Sequence, residues 1–245
     1  MIQQLKIYWH YKRITIVPDS FHRILTEYND YYTNLSDALK QEFLKRVYIC
    51  DKFLIFKPVE FSQVSEEMRV VIISALVQIT FGLDKYVLQR FKTFMVVPNI
   101  YKYGPYPALH GHVDHDKKLI VMAWPSVQHG FIVPEDAHNV ALHELAHALQ
   151  AENHSTLFFA DFFDAVHVSD WEKVGLIELW KIRRKQHEYL SDYAGQNMLE
   201  LFAVSMECFF EQPLQFQEKV PQLYHIMTKL LKQNPGNASH PLFRR

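Results

Sequence analysis

The stretch HNVALHELAHALQAEN, residues 138–153, places two histidines and a glutamate inside an apolar run rich in Ala and Leu. Val140, Ala141, Leu142, Leu145, Ala146, Ala148 and Leu149 surround them without a proline, the pattern of a buried helix. Four residues advance an α-helix by about 400°, so His143 and His147 lie roughly 40° apart on one face and one turn apart. Imidazoles so placed reach the same ion, with Glu144 beside that ion but off the ligand axis. This is the H-E-x-x-H arrangement of zinc peptidases, in which the glutamate takes a proton from zinc-activated water. Unpaired imidazoles and a carboxylate in an apolar helix are costly, and a metal resolves that cost. The competing reading is a helix with two partly buried histidines and an exposed glutamate.

Catalytic zinc takes three protein ligands and leaves a position for water, so a third ligand is needed. The three-histidine extension H-E-x-x-H-x-x-G-x-x-H is absent, because Gln150 and Asn153 stand where its glycine and last histidine belong. His154 lies seven residues beyond His147, one past the position of that last histidine. Glutamates of the later helices suit the two-histidine, one-glutamate class. Glu200 and Glu207 are seven apart, hence on one face of the apolar helix MLELFAVSMECFFEQ.

Residues 1–34 lack a strong period and read as a leading arm. From Leu35 the spacing of Leu39, Phe43, Val47 and Ile49 predicts a helix with Ser36 as N-cap. SEEMRVVIISALVQITFGL predicts a second, buried helix that starts at Ser65 and stops near Gly82. FLIFKPVEF between them reads as extended. FKTFMVVPNIY (91–101) and KKLIVMAW (117–124) are short apolar runs that read as strands, with YGPYPALHGHVDHD between them a loop containing a strand edge. Helical patterns then dominate to about residue 234. WEKVGLIELWKIRRKQHEYL is long and amphipathic, and VPQLYHIMTKLLKQ opens near Pro221 and stops at NPG. The expectation is an α+β domain, mostly helical, with a small sheet beside the HELAH helix and residues 35–245 as one unit.

Composition narrows the class. With 26 basic and 27 acidic residues and no run of like charge, neither a nucleic-acid footprint nor a polybasic membrane patch is indicated. Cys50 and Cys208 lie in apolar surroundings and read as core residues, against a disulfide scaffold. No signal-peptide core and no membrane-length apolar run is found, so a soluble cytoplasmic protein is expected. Frames for a serine or cysteine nucleophile and Gly-rich phosphate loops are missing. His110, His112 and His115 in HGHVDHD read as a polar hairpin with exposed imidazoles, the alternatives being a second metal cluster or a cleft border. FFADFFD (158–164) reads as core packing with Asp161 and Asp164 in water, and KIRRKQ (181–186) as a solvated face.

The sequence resembles the Mlc titration factor A family of zinc-dependent peptidases. The likeness rests on ALHELAH, on DYAGQNMLELFAVSMECFFEQP (192–213) and on FQEKVPQLYHIMTKLLKQNP (216–235). It implies a gluzincin-type zincin fold with Zn2+ held by His143, His147 and Glu200. Glu144 would be the general base and Tyr193, in DYA, the active-site tyrosine. A phenol there suits an oxyanion donor. Glu207 has two readings, as an acceptor for a ligand histidine or as a helix residue with its own salt bridge. The resemblance further implies aminopeptidase-like cleavage of peptides or, alternatively, a binding role that sequesters a transcriptional repressor. Two stretches depart from the family. The Gly-rich acidic loop after the second histidine is replaced by ALQAENHSTLFFADFFD, and HGHVDHDK stands in about the place of a G-E-S-W-like segment. Both are expected to wall the substrate cleft.

Overall fold

A computed structural model describes residues 14, 16–152, 162–186 and 189–237. Three helices and a strand come first: α1 (Asp19–Tyr28), α2 (Asp30–Thr33), α3 (Asp37–Phe53) and β1 (Ile55–Pro58). Then follow α4 (Glu66–Thr80), β2 (Thr93–Val97), β3 (Tyr101–Tyr103), β4 (Tyr106–Leu109), β5 (Gly111–Asp114) and β6 (Leu119–Ala123). The chain continues as α5 (Trp124–Ile132), α6 (Val140–Ala151) and α7 (Ala165–Arg183). A 3-10 turn (Asp192–Gly195), α8 (Met198–Glu211), α9 (Pro213–Lys219) and α10 (Pro221–Leu231) complete it. The fold is therefore mostly helical with a small sheet, as the alternation of periods predicts.

The sheet runs β1-β2-β6-β5, with β1, β2 and β6 parallel and β5 antiparallel at one edge. Strands β3 and β4 form a separate antiparallel hairpin. Parallel strands need a crossover, and α4 supplies it between β1 and β2. Ser65 caps α4 by accepting from the Met68 N–H, and every residue from Val70 to Thr80 is buried. A helix apolar on all sides belongs in the middle of the core, and α4 packs there against α1, α3 and α6.

Residues read from sequence as a leading arm contain, from Asp19 onward, two helices that place Phe21, Leu25 and Tyr32 in the common core. Aromatic crowding in EYNDYYTN hid this, because Tyr31 and Tyr32 pack by their rings on Phe43 rather than by a regular stripe. Strands β1, β2 and β6 fall within the runs read as extended, whereas β4 and β5 lie in the segment read as a loop with a strand edge, and β3 straddles its start. Helix α5 was not legible in advance, although Pro125 in its first turn is a start signal. The long helix expected through Leu190 ends at Arg183, where Lys185 at φ 57° closes it in the left-handed conformation. Cys50 and Cys208 are buried and unpaired, as expected. Among the described residues no helix is long and apolar enough to cross a membrane.

Helix α6 is anchored at both ends by buried polar groups. At its start, Asn139 accepts from the Leu142 N–H and donates to the Gly130 carbonyl, at 3.1 and 2.9 Å. Gly130 permits that approach, since a Cβ there would sit 2.8 Å from Asn139 Cγ. At its end, the buried Glu152 carboxylate accepts from the backbone N–H groups of Gln89, Arg90 and Phe91. These three residues lead into β2, so Glu152 locks the helix to the sheet.

Candidate metal centre

His143 and His147 project from α6 toward the first turn of α8, which carries Glu200. Asn197 fixes where α8 begins by accepting from the Leu199 and Glu200 N–H groups, at 2.8 and 3.0 Å. A carboxylate so near a helix N-terminus is also favoured by the helix dipole. The two Nε2 atoms are 3.1 Å apart, and they lie 3.2 Å (His143) and 3.3 Å (His147) from Glu200 Oε2. These three residues form a group that could hold a metal ion.

The donor set fits a tetrahedral ion. Bonds of about 2.1 Å would set ligand atoms about 3.4 Å apart, and the observed triangle is only slightly tighter. Glu200 Oε2 is buried and has no hydrogen-bond partner, so a cation is the natural neighbour for it. The outer nitrogens settle the tautomers. His143 Nδ1 faces Glu207 Oε2 at 3.0 Å, and His147 Nδ1 faces Gln150 Oε1 at 3.1 Å. Both partners are acceptors, so each Nδ1 carries a proton, and each Nε2 would turn a lone pair to a cation at the common point. Burial lowers the proton affinity of His143, but the flanking Glu200 and Glu207 outweigh it and raise its pKa to about 10, so a cation bound at Nε2 would displace a proton from it. Burial likewise raises Glu200, yet the two imidazoles hold its carboxyl at about 2.

Glu144 is 8% exposed and points to the sheet side of α6. Its carboxylate lies against Gly111 of β5, where a Cβ would come within 2.7 Å of Cγ and 3.0 Å of Oε1. Burial raises its pKa, against the pull of the two neighbouring histidines. Tyr193 lies across α6 in the 3-10 turn, 48% exposed, with its ring 5.9 Å from that of His143. Burial first, and then the carboxylates of Glu200 and Glu144, push its phenol up to about 12, so it stays a proton donor at neutral pH. The turn is tied to α7 by Arg183, which donates to the Gly195 and Gln196 carbonyls at 2.8 and 2.7 Å.

A sequence model of the glucose-regulated metallo-peptidase M90 family matches residues 7–232. The chain belongs to this family. An uncharacterized protein of Synechocystis sp. is 21% identical over 238 residues, covering 87% of this chain and 83% of its own length. Mlc titration factor A of Pectobacterium atrosepticum is 27% identical over 126 residues, 49% of this chain and 47% of its own. Its Escherichia coli counterpart is 27% identical over 128 residues with the same coverage. The match to these titration factors thus spans about half of each chain, and the likeness expected from HELAH and the later helices holds at that level.

In this M90 chain the structure brings His143, His147 and Glu200 together, with Glu144 and Tyr193 beside them. It also places Glu207 against an imidazole, 3.0 Å from His143 Nδ1. Besides facing His143, Glu207 accepts from the Asn139 backbone N–H at 2.9 Å, so one carboxylate holds both a candidate ligand and the cap of its helix. Gln150, Asn139 and Gly111 were missed from sequence. Gln150 had a signal, since it stands three residues after His147 on the same helix face. Glu207→Gln should weaken metal retention about 10–100-fold, read as zinc left per chain against a competing chelator. Unchanged retention would reduce Glu207 to a helix-packing role.

The histidines of HGHVDHD scatter. His110 Nδ1 pairs with Ser126 Oγ at 2.8 Å, His112 Nδ1 with the Tyr101 hydroxyl at 2.6 Å, and His115 packs on Phe91. Among the described residues they form no metal cluster. Phe162 and Phe163 are buried, as the core reading of FFADFFD requires, and Asp164 caps α7. Asn153, His154 and residues 158–161 lie outside the described residues.

Proposed function

We propose that this chain is a zinc-dependent metallopeptidase of the zincin type, with His143, His147 and Glu200 as ligands, Glu144 as general base and Tyr193 as oxyanion donor. Residues 35–245 would form its peptidase unit together with α1 and α2, which share the same core. The observation that carries the reading is the convergence of two Nε2 atoms and a buried carboxylate oxygen on one point, one residue from a buried glutamate. Zinc bound there supplies a Lewis acid that lowers the pKa of a water to about 7 and polarises a carbonyl. Glu144 accepts the proton of the attacking water and delivers it to the leaving amine. Tyr193 donates to the oxygen on which negative charge develops. Glu207 and Gln150 keep the imidazoles in the tautomer and direction that the ligand role needs.

The sheet edge supports a peptide as substrate. Among the described residues β5 pairs only with β6. Ala123 N–H donates to the His110 carbonyl, and by the alternation of an antiparallel ladder Gly111 and Val113 then turn their N–H and C=O groups outward. An extended peptide can pair with that edge, beside Glu144. Aminopeptidase-like cleavage is the finer form of the proposal.

Elemental mass spectrometry of protein purified without a metal-affinity tag tests it. About one zinc per chain is expected, and a chain that takes up no zinc at neutral pH would overturn the reading. A second reading has support in the name of the titration-factor relatives: the chain binds a transcriptional regulator, with the metal site serving structure or control. Intact regulator binding by Glu144→Gln, in a wild type that hydrolyses no peptide, would favour it.

A further inference from the structure

The register of β5 divides its side chains between two walls. Gly111 stands opposite Met122, which belongs to the main core, and faces Glu144. His112 stands opposite Val121, which lies on the other sheet face in a small cluster with Val97, Ala123 and Tyr101. The free edge of β5 therefore runs between α6 on one side and the β3–β4 hairpin on the other.

On the hairpin side one hydroxyl is held with unusual care. Tyr101 Oη lies 2.6 Å from His112 Nδ1. The imidazole is clamped by the Tyr103 ring, stacked at 4.3 Å and 27°. Tyr103 in turn donates to Asp114 Oδ2 at 2.9 Å, and Asp114 Oδ1 accepts from the Lys117 N–H at 2.8 Å. His112 Nε2 is buried with no hydrogen-bond partner. If Tyr101 donated to Nδ1, the neutral ring would carry its proton on Nε2, leaving a buried N–H unsatisfied. Orphaned buried N–H groups are rarer than under-satisfied acceptors. The favoured tautomer keeps the proton on Nδ1, which donates to Tyr101 Oη and frees the phenol's own proton to point elsewhere. After burial, the strongest influence on that phenol is the Glu144 carboxylate, so the hydroxyl is within electrostatic reach of the reacting centre.

We propose that Tyr101 is a second substrate-contacting phenol, donating a hydrogen bond to a backbone carbonyl of the peptide that lies along β5, with His112 positioning its hydroxyl. This rests on the peptidase reading above and adds a recognition group from the opposite wall of the cleft. Tyr193 acts at the zinc side of the scissile bond; Tyr101 acts on the peptide beyond it. Neither residue belongs to the group that could hold the metal, so the pair serves substrate choice rather than the metal chemistry.

The test compares two zinc-directed probes on the zinc-loaded protein by titration calorimetry: acetohydroxamate, which offers only the chelating group, and a peptidyl hydroxamate. Wild type should bind the peptidyl compound more tightly. Tyr101→Phe should weaken that compound roughly tenfold, the worth of one hydrogen bond, and leave acetohydroxamate unchanged. His112→Leu should do the same, whereas His112→Asn, whose amide N–H takes the place of Nδ1–H, should recover most of the affinity. Equal peptidyl affinity in Tyr101→Phe and wild type overturns the proposal. Equal losses for both probes also overturn it, because the change would then have passed through the metal site. Failure of acetohydroxamate to bind zinc-loaded wild type strikes instead at the metal-centre reading, and both fall together.

Discussion

Glu144→Gln should keep its metal and lose peptide hydrolysis by about 10²–10⁴-fold, the usual contribution of a positioned general base. Glu144 is not one of the three converging groups that could hold a metal, so the exchange leaves those atoms in place. Gln has the same shape, and the contact with Gly111 that seats the side chain depends on shape alone. What disappears is the ability to accept a proton from water. The substitution also removes a carboxylate whose ionisation burial opposes, so the melting temperature should not fall. Zinc per chain, thermal unfolding and turnover of a peptide library, measured on one preparation, separate the outcomes. Turnover equal to wild type with zinc bound would remove Glu144 from the mechanism.

Glu200→Ala should release the metal. Two neutral imidazoles would remain, without the anionic oxygen that now approaches both of them. Loss of an outer partner costs about 10–100-fold in affinity, and loss of a ligand should exceed 100-fold. The variant should lose activity with its zinc while the scaffold stands, because Asn197 caps α8 through backbone N–H groups that the substitution keeps. Zinc retained at wild-type affinity would mean that Glu200 is not a ligand. A useful contrast is Glu207→Gln, which should weaken the metal without releasing it.

Legibility of the site followed distance along the chain. His143, Glu144 and His147 were readable together because a helix repeats every 3.6 residues, so their relative placement is fixed by local geometry. Asn139 stood in plain view as a side-chain acceptor before an apolar run, the ordinary signature of an N-cap, yet its second task of receiving Glu207 lies 68 residues away. Glu200 and Glu207 could be placed on one face of a helix, but not against a particular histidine. The hairpin and β5 were hidden for a different reason. Strands of three or four residues carry too few alternations to stand out from a polar loop, and their state depends on the partner strand.

The sequence by itself determined that helix α6 presents two imidazoles to one point with a glutamate beside them, and that helices outweigh a small sheet. Both follow from local periodicity, which the backbone enforces without reference to the rest of the chain. Only the tertiary structure decided that Glu200 faces His143 and His147 while Glu207 takes the far nitrogen of His143, and that Gly111 makes room for Glu144. It alone set His112 and Tyr101 on the opposite wall. These depend on the angle and depth at which α8 and β5 pack against α6, and packing is settled by the whole core at once.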